Sequence, residues 1–241
     1  AQLPRDWAAR TGGSYVETAA ALSAAPRGKP VLGLFAPSHM TYMIDRKPDS
    51  AEPTLTAMTA AALARLKGDG RGYYLMAEGG RIDHGHHAGQ AGYALEEAVE
   101  FAKAVQYAVD NTDPRETLIL VTADHSHVFT IAGYPRRGNP ILGLVTRGGE
   151  GEPAKASDGQ PYSTLGYANG PGAVKGVRGA PDTSLKARQQ ALVPLSSETH
   201  GGEDVIVRAS GPGADLFRGT IEQHTIFYII RQALFGDAPQ G

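Results

Sequence analysis

The sequence predicts an α/β fold built around a largely parallel sheet, and three stretches carry that reading. "TLILVTA" (Thr117–Ala123) is nearly all apolar and rich in β-branched residues, as a strand covered on both faces should be. "GYYLMA" (Gly72–Ala77) is a second short apolar run. Between them, Ala88–Asn111 sets Ala91, Leu95, Ala98, Val99, Ala102, Val105 and Val109 at the helical period. Strand, helix and strand in that order predict a right-handed βαβ crossover between parallel strands.

The other elements follow in order. Val31–Phe35, "VLGLF", lies between Pro30 and Pro37 and reads as a buried strand. Pro53–Lys67 reads as a helix, with Leu55, Met58, Ala62, Leu63 and Leu66 at helical spacing, Pro53 near its start and Gly68 after its end. Gly143–Gly202 is rich in Gly, Pro, Ser and Ala, has weak periodicity and reads as a loop-rich excursion. The chain then resumes with a strand at Val205–Ala209 and a closing helix at Ile221–Phe235.

Bulk properties narrow the function. A chain of 241 residues suits one medium α/β domain or two small ones. With 23 basic and 25 acidic residues well mixed, net charge is −2 and there is no block to grip nucleic acid or an anionic membrane. No apolar run approaches the roughly 20 residues of a membrane-spanning helix. The N-terminal "AQLPRDWAAR" has no signal-peptide core, and the C-terminal "FGDAPQG" is no anchor signal. With no cysteine, disulfides and thiolate zinc sites are excluded, and the redox compartment stays open.

The chemistry concentrates at two strand ends. "EGGRIDHGHH" (78–87) follows the C-terminal end of "GYYLMA", and "ADHSH" (123–127) follows that of "TLILVT". Ligands of open α/β sheets bind outside the carboxyl ends of strands, so the two clusters would face one another. Asp83 and His87 are four apart; on a helix beginning near Ile82 they share a face and can chelate one ion. Asp124 and His125 are adjacent at a strand-to-loop turn, and His200 precedes Gly201-Gly202, which permit close backbone approach. Helix capping and loop solvation compete with metal binding for these residues, since Asp is a good cap. His84, His86 and His127 read as supporting or structural, and His39 and His224 as ordinary surface or hydrogen-bonded histidines.

Those segments, with "VTADHSHVFTIAGYPRRGNPILGL" and "ETHGGEDVIV", resemble the metal-binding segments of alkaline phosphatases of the bacterial and animal-type branch. "VLGLFAPSHMTYMIDRKP" resembles the same family, and residues 146–197, with "YANGPG" and "ARQQALVPL", resemble its crown insertion near the dimer interface. The resemblance implies a three-layer α/β sandwich: residues 1–145 in the C-terminal half of the phosphatase core, 146–197 as the crown-like insertion and 198–241 returning to the core. It implies two zinc ions and one magnesium, with Asp83, His87 and His200 on the first zinc, Asp124 and His125 on the second, and Glu78 on the magnesium. The implied reaction is phosphomonoester hydrolysis through a phosphoseryl intermediate.

A catalytic zinc takes about three protein ligands and keeps one position open. Only the first zinc's set is complete on this count. The remaining ligands, the Ser nucleophile and a phosphate-binding Arg are expected from an N-terminal half that is not recognisable in this sequence, which reads as starting mid-domain. A homodimer and a periplasmic or extracellular location are implied by resemblance alone. An inert metal-binding fragment, and a phosphodiesterase or sulfatase on the same scaffold, are the alternatives. Two serines imitate a nucleophile. "DSAEPT" (49–54) resembles the family's nucleophile motif, but Glu52 and Pro53 break its run of small residues. Ser126 lies between two histidines with no evident third group to orient a Ser–His pair. Animal members also hold calcium through a Glu and an Asp; Ala36 and Glu52 stand at those positions here, so that ion is not expected.

Overall fold

The computed structural model describes residues 2–67, 70–147 and 151–236. The helices are α1 (Leu3–Thr11), α2 (Ala19–Ala24), α3 (Leu55–Leu66), α4 (Arg81–His87), α5 (Ala91–Asp110) and α6 (Thr225–Phe235). The strands are β1 (Ser14–Val16), β2 (Val31–Gly33), β3 (Ile119–Val121), β4 (Ser126–His127), β5 (Phe129–Ile131), β6 (Leu165–Gly170), β7 (Ala191–Pro194), β8 (His200–Gly201) and β9 (Arg208–Ser210). The chain divides into two compact units. One comprises Ala1–Gly79, Val99–Thr122 and Ile206–Gly241; the other comprises Gly80–Ala98 and Ala123–Val205.

In the first unit, β1 and β2 pair in parallel, Ser14 opposite Val31. Thr18 caps α2 by accepting from Ala21 N–H at 3.1 Å, and Thr54 caps α3 from Ala57 N–H at 3.1 Å. Arg65, in the last turn of α3, donates to the carbonyls of Ala25 and Pro26 and so ties α3 to the end of α2. The expected helices over 53–67, 88–111 and 221–235 are all present with trimmed ends. Gly68, expected to stop α3, lies outside the described residues.

The sheet differs from expectation. "TLILVTA" contracts to β3, which pairs antiparallel with β9, Ile119 opposite Ser210. "GYYLMA" forms no strand among the described residues. An apolar run becomes a strand only with a ladder partner, and Tyr74 and Met76 remain 59% and 68% exposed. The expected βαβ crossover is therefore not formed, and the predicted strand at 205–209 is confined to β9. Among the described residues, two strand pairings are parallel and three antiparallel, in four small sheets rather than one largely parallel sheet.

The second unit is more ordered than its composition suggests. β5, β6 and β7 form one sheet, β6 pairing antiparallel to β5 and parallel to β7. Leu165 and Tyr167, two apart on β6, are both buried, as a strand with one covered face requires. Arg178 holds the approach to this sheet together, with a bidentate ion pair to Asp158 and a bond to the Gln160 carbonyl. The carboxylate of Asp158 is thereby held below its ordinary range. Gly85 of α4 packs against the start of α5, where a Cβ would meet Ala94 N at 2.6 Å.

Candidate metal centre

The site is assembled inside the second unit by one short helix and one two-residue ladder. α4 turns Asp83 and His87 to the same face, their Oδ1 and Nε2 atoms 3.2 Å apart. β4 pairs antiparallel with β8, and this register sets His127 opposite His200. His200 Nε2 then lies 3.3 Å from Asp83 Oδ1 and 3.1 Å from His87 Nε2. His127 Nε2 approaches the same carboxylate oxygen at 3.2 Å, and His125 Nε2 at 4.0 Å.

Tautomers follow from the opposite edges of the rings. His87 Nδ1 lies 2.7 Å from the carbonyl of Glu198, which can only accept, so Nδ1 carries the hydrogen and Nε2 of the neutral ring presents a lone pair. That lone pair faces an acceptor-only carboxylate oxygen and a second imidazole nitrogen. Asp83 Oδ1 is itself buried without a hydrogen bond. Lone pairs converging on one point repel unless positive charge lies between them. The donor set fits zinc: tetrahedral bonds of about 2.0–2.1 Å put neighbouring donor atoms about 3.3 Å apart. Here the Asp83–His87–His200 triangle has sides of 3.2, 3.1 and 3.3 Å.

The expected residues separate into three cases. Asp83, His87 and His200 come together as one donor group. Asp124 and His125 stand side by side, Oδ2 to Nε2 at 3.4 Å, with the Asp124 side chain 84% exposed. Asp124 faces outward, whereas His125 turns its Nε2 toward Asp83 and stacks on His200 with ring centroids 3.5 Å apart. Glu78 is exposed and belongs to the first unit, whereas the other five belong to the second.

Two participants escaped the sequence reading. His127, a supporting residue on sequence alone, reaches Asp83 as closely as His87 does and forms a donor group with Asp83 and His125. Glu198, not singled out at all, is buried and bonds to His127 Nδ1 at 2.8 Å. No local pattern sets it apart, since Glu203 and Asp204 follow five and six positions later.

His86 lines the wall behind these ligands. It stacks on His127 and its Nδ1 is 2.9 Å from the Tyr167 hydroxyl. Burial, reinforced by His127, pushes its pKa down to about 4, and burial raises that of Tyr167. Ser126 donates to Glu203 at 2.6 Å. In the first unit, Glu52 accepts from Thr41 N–H at 2.8 Å and pairs with Arg46 at 3.4 Å.

Imidazole and carboxylate donors converging in this way make a candidate site for a divalent cation in an α/β protein. The sequence pattern of the family described as alkaline phosphatase matches residues 2–235, and the chain belongs to that family. The tissue-nonspecific alkaline phosphatase of Gallus gallus is 49% identical over 203 residues, covering 81% of this chain and 38% of that protein. Alkaline phosphatase 4 of Drosophila melanogaster is 43% identical over 224 residues, covering 84% and 36%. The Homo sapiens tissue-nonspecific isozyme is 41% identical over 210 residues, covering 84% and 38%. This chain thus spans under two-fifths of the length of these relatives. Among solved structures, a cold-active alkaline phosphatase from the psychrophile Shewanella sp. superposes with a TM-score of 0.63 at 20% identity, over 94% of this chain and 60% of that one. At that identity the likeness concerns the fold alone.

Proposed function

We propose that these residues supply the metal-binding part of an alkaline phosphatase that hydrolyses small phosphomonoesters. The observation that carries this reading is the triangle of Asp83 Oδ1, His87 Nε2 and His200 Nε2, with sides of zinc-site length. Asp83, His87 and His200 would hold one zinc, Asp124 and His125 would contribute to a second, and Glu78 would contribute to a magnesium site. Bound there, the cations would supply Lewis-acid stabilisation of the charge that builds on phosphate and leaving-group oxygens.

This chain's own part is to hold and orient. The Glu198 carbonyl fixes the His87 tautomer, so Nε2 is free to bind. The β4–β8 ladder brings His200 to that nitrogen. A serine outside these 241 residues would accept the phosphoryl group, and water would then release phosphate from the phosphoserine. A phosphate-clamping arginine would come from the same polypeptide. Residues 146–197 would form the crown-like insertion of a homodimer, on a three-layer α/β core completed by that further chain. A periplasmic or extracellular location rests on family membership. No helix among the described residues is long and apolar enough to cross a membrane.

The test is hydrolysis by the intact protein of p-nitrophenyl phosphate, bis-p-nitrophenyl phosphate and p-nitrophenyl sulfate, with zinc content measured on the same sample. Monoester preference with bound zinc is expected; diester or sulfate preference would overturn the reading. The 241-residue chain alone should bind zinc and turn nothing over, because Asp124 and His125 provide only two donors and Ser126, the hydroxyl beside them among the described residues, is committed to Glu203.

A further inference from the structure

Glu198 joins three parts of the metal centre from one position. Its side chain has no exposed surface. Oε2 lies 2.8 Å from His127 Nδ1, and Oε1 accepts the Val128 N–H at 2.8 Å. Its main chain brackets His87: the Glu198 N–H donates to the His87 carbonyl at 3.0 Å, and the Glu198 carbonyl accepts from His87 Nδ1 at 2.7 Å. Two residues later the chain delivers His200. A buried carboxylate is costly unless donors surround it, and these two short bonds offset that cost. Gly170 opposite leaves the room, since a Cβ there would stand 3.2 Å from Glu198 Cβ.

The carboxylate also lies near His87 Nδ1 and His127 Nδ1 as a donor group of its own. Both nitrogens are already spent as hydrogen-bond donors to Glu198 oxygens, so this group is a support and not a second cation site. Its direction is clear: Glu198 holds His127 Nδ1, and His127 Nε2 in turn faces Asp83 Oδ1 at 3.2 Å.

We infer that Glu198 is a positioning residue of the zinc site, acting through His127 on Asp83 and through its main chain on His87. The inference rests on the reading of Asp83, His87 and His200 as zinc ligands. Outer partners of this kind are worth about 10–100-fold in metal affinity.

The test uses the intact protein and chelator competition with zinc, with H200A identifying which step of the titration belongs to this cluster. E198Q keeps shape and removes charge; it should weaken that step about 10–100-fold and shift the visible bands of the cobalt-substituted protein. E198D should restore part of the loss. Because Glu198 acts through His127, E198Q combined with H127Q should lose little more than the worse single variant. Wild-type affinity and an unchanged cobalt spectrum in E198Q, or losses that multiply in the double variant, would overturn the inference while leaving the zinc reading intact. A wild-type protein with no H200A-sensitive zinc step would remove both. Melting of the metal-free variants separates weakened binding from failure to fold.

Discussion

His87 Nε2 and His200 Nε2 meet at 3.1 Å although 113 residues separate them in sequence. One sits on α4 and the other on β8, and the β4–β8 register is what joins them. His200 is half exposed, so truncating it leaves no buried cavity. H200A should therefore keep its fold, lose one zinc per chain and lose turnover by more than the roughly 100-fold expected of an outer partner. Elemental analysis and kcat of the intact protein check this; wild-type turnover at saturating zinc would contradict the ligand assignment.

Gly85 stands midway between Asp83 and His87. Helix propensity alone favours G85A by up to about 1 kcal/mol. Packing opposes it, because the new Cβ would meet Ala94 N at 2.6 Å and Ala94 Cα at 2.9 Å, both main-chain atoms of α5. Overpacking of this kind costs about 1–3 kcal/mol and wins. G85A should lower the denaturant midpoint and also weaken zinc, since relieving the overlap moves both flanking ligands. A stabilised G85A would show that α4 has room that these distances deny it.

What could be read in the sequence followed from how local its cause was. Asp83 and His87 were legible because their spacing matches one turn of helix, and α4 runs over Arg81–His87. The helices over 55–66, 91–110 and 225–235 were legible from apolar period. "GYYLMA" failed for the opposite reason. Its pattern suits a strand, but a strand needs a neighbour, and pairing is not written in the run itself. Glu198 failed likewise: a carboxylate becomes a support only once folding buries it beside His127, 71 residues away. The strand β6 failed as well, because Leu165 and Tyr167 alone give too short an alternation to mark a strand inside a Gly-rich stretch that reads as loop.

Ser126 sits between two histidines of the centre, yet its chemistry is committed elsewhere. Its hydroxyl donates to Glu203 at 2.6 Å, which holds that carboxylate below its ordinary range. Successive strand residues point to opposite faces, so on β4 it faces away from His127. S126A should retain kcat within about 10-fold, against the roughly 10⁶-fold loss when a serine nucleophile is removed. Steady-state kinetics on the intact protein decide it, and a collapse of the larger size would make Ser126 the nucleophile.

His86 gives the fold a pH dependence whose sign can be worked out. Burial, then the neighbouring His127, push its pKa from 6.5 to about 4. The unfolded chain accepts a proton near pH 6.5 that the folded protein refuses until about 4, so the unfolded state binds more protons in that window. Stability from this group is complete above pH 6.5, falls as pH drops through the window, and is gone below about 4. The full swing is on the order of 3 kcal/mol. H86F keeps an aromatic ring against Phe129 and Tyr167 but cannot titrate. Denaturant melts of metal-stripped protein at pH 7 and pH 5 should show a smaller drop in H86F than in wild type. Metal is removed so that protonation of the ligands does not enter through lost zinc. Equal drops in the two proteins would mean that His86 takes up its proton as readily when folded as when unfolded.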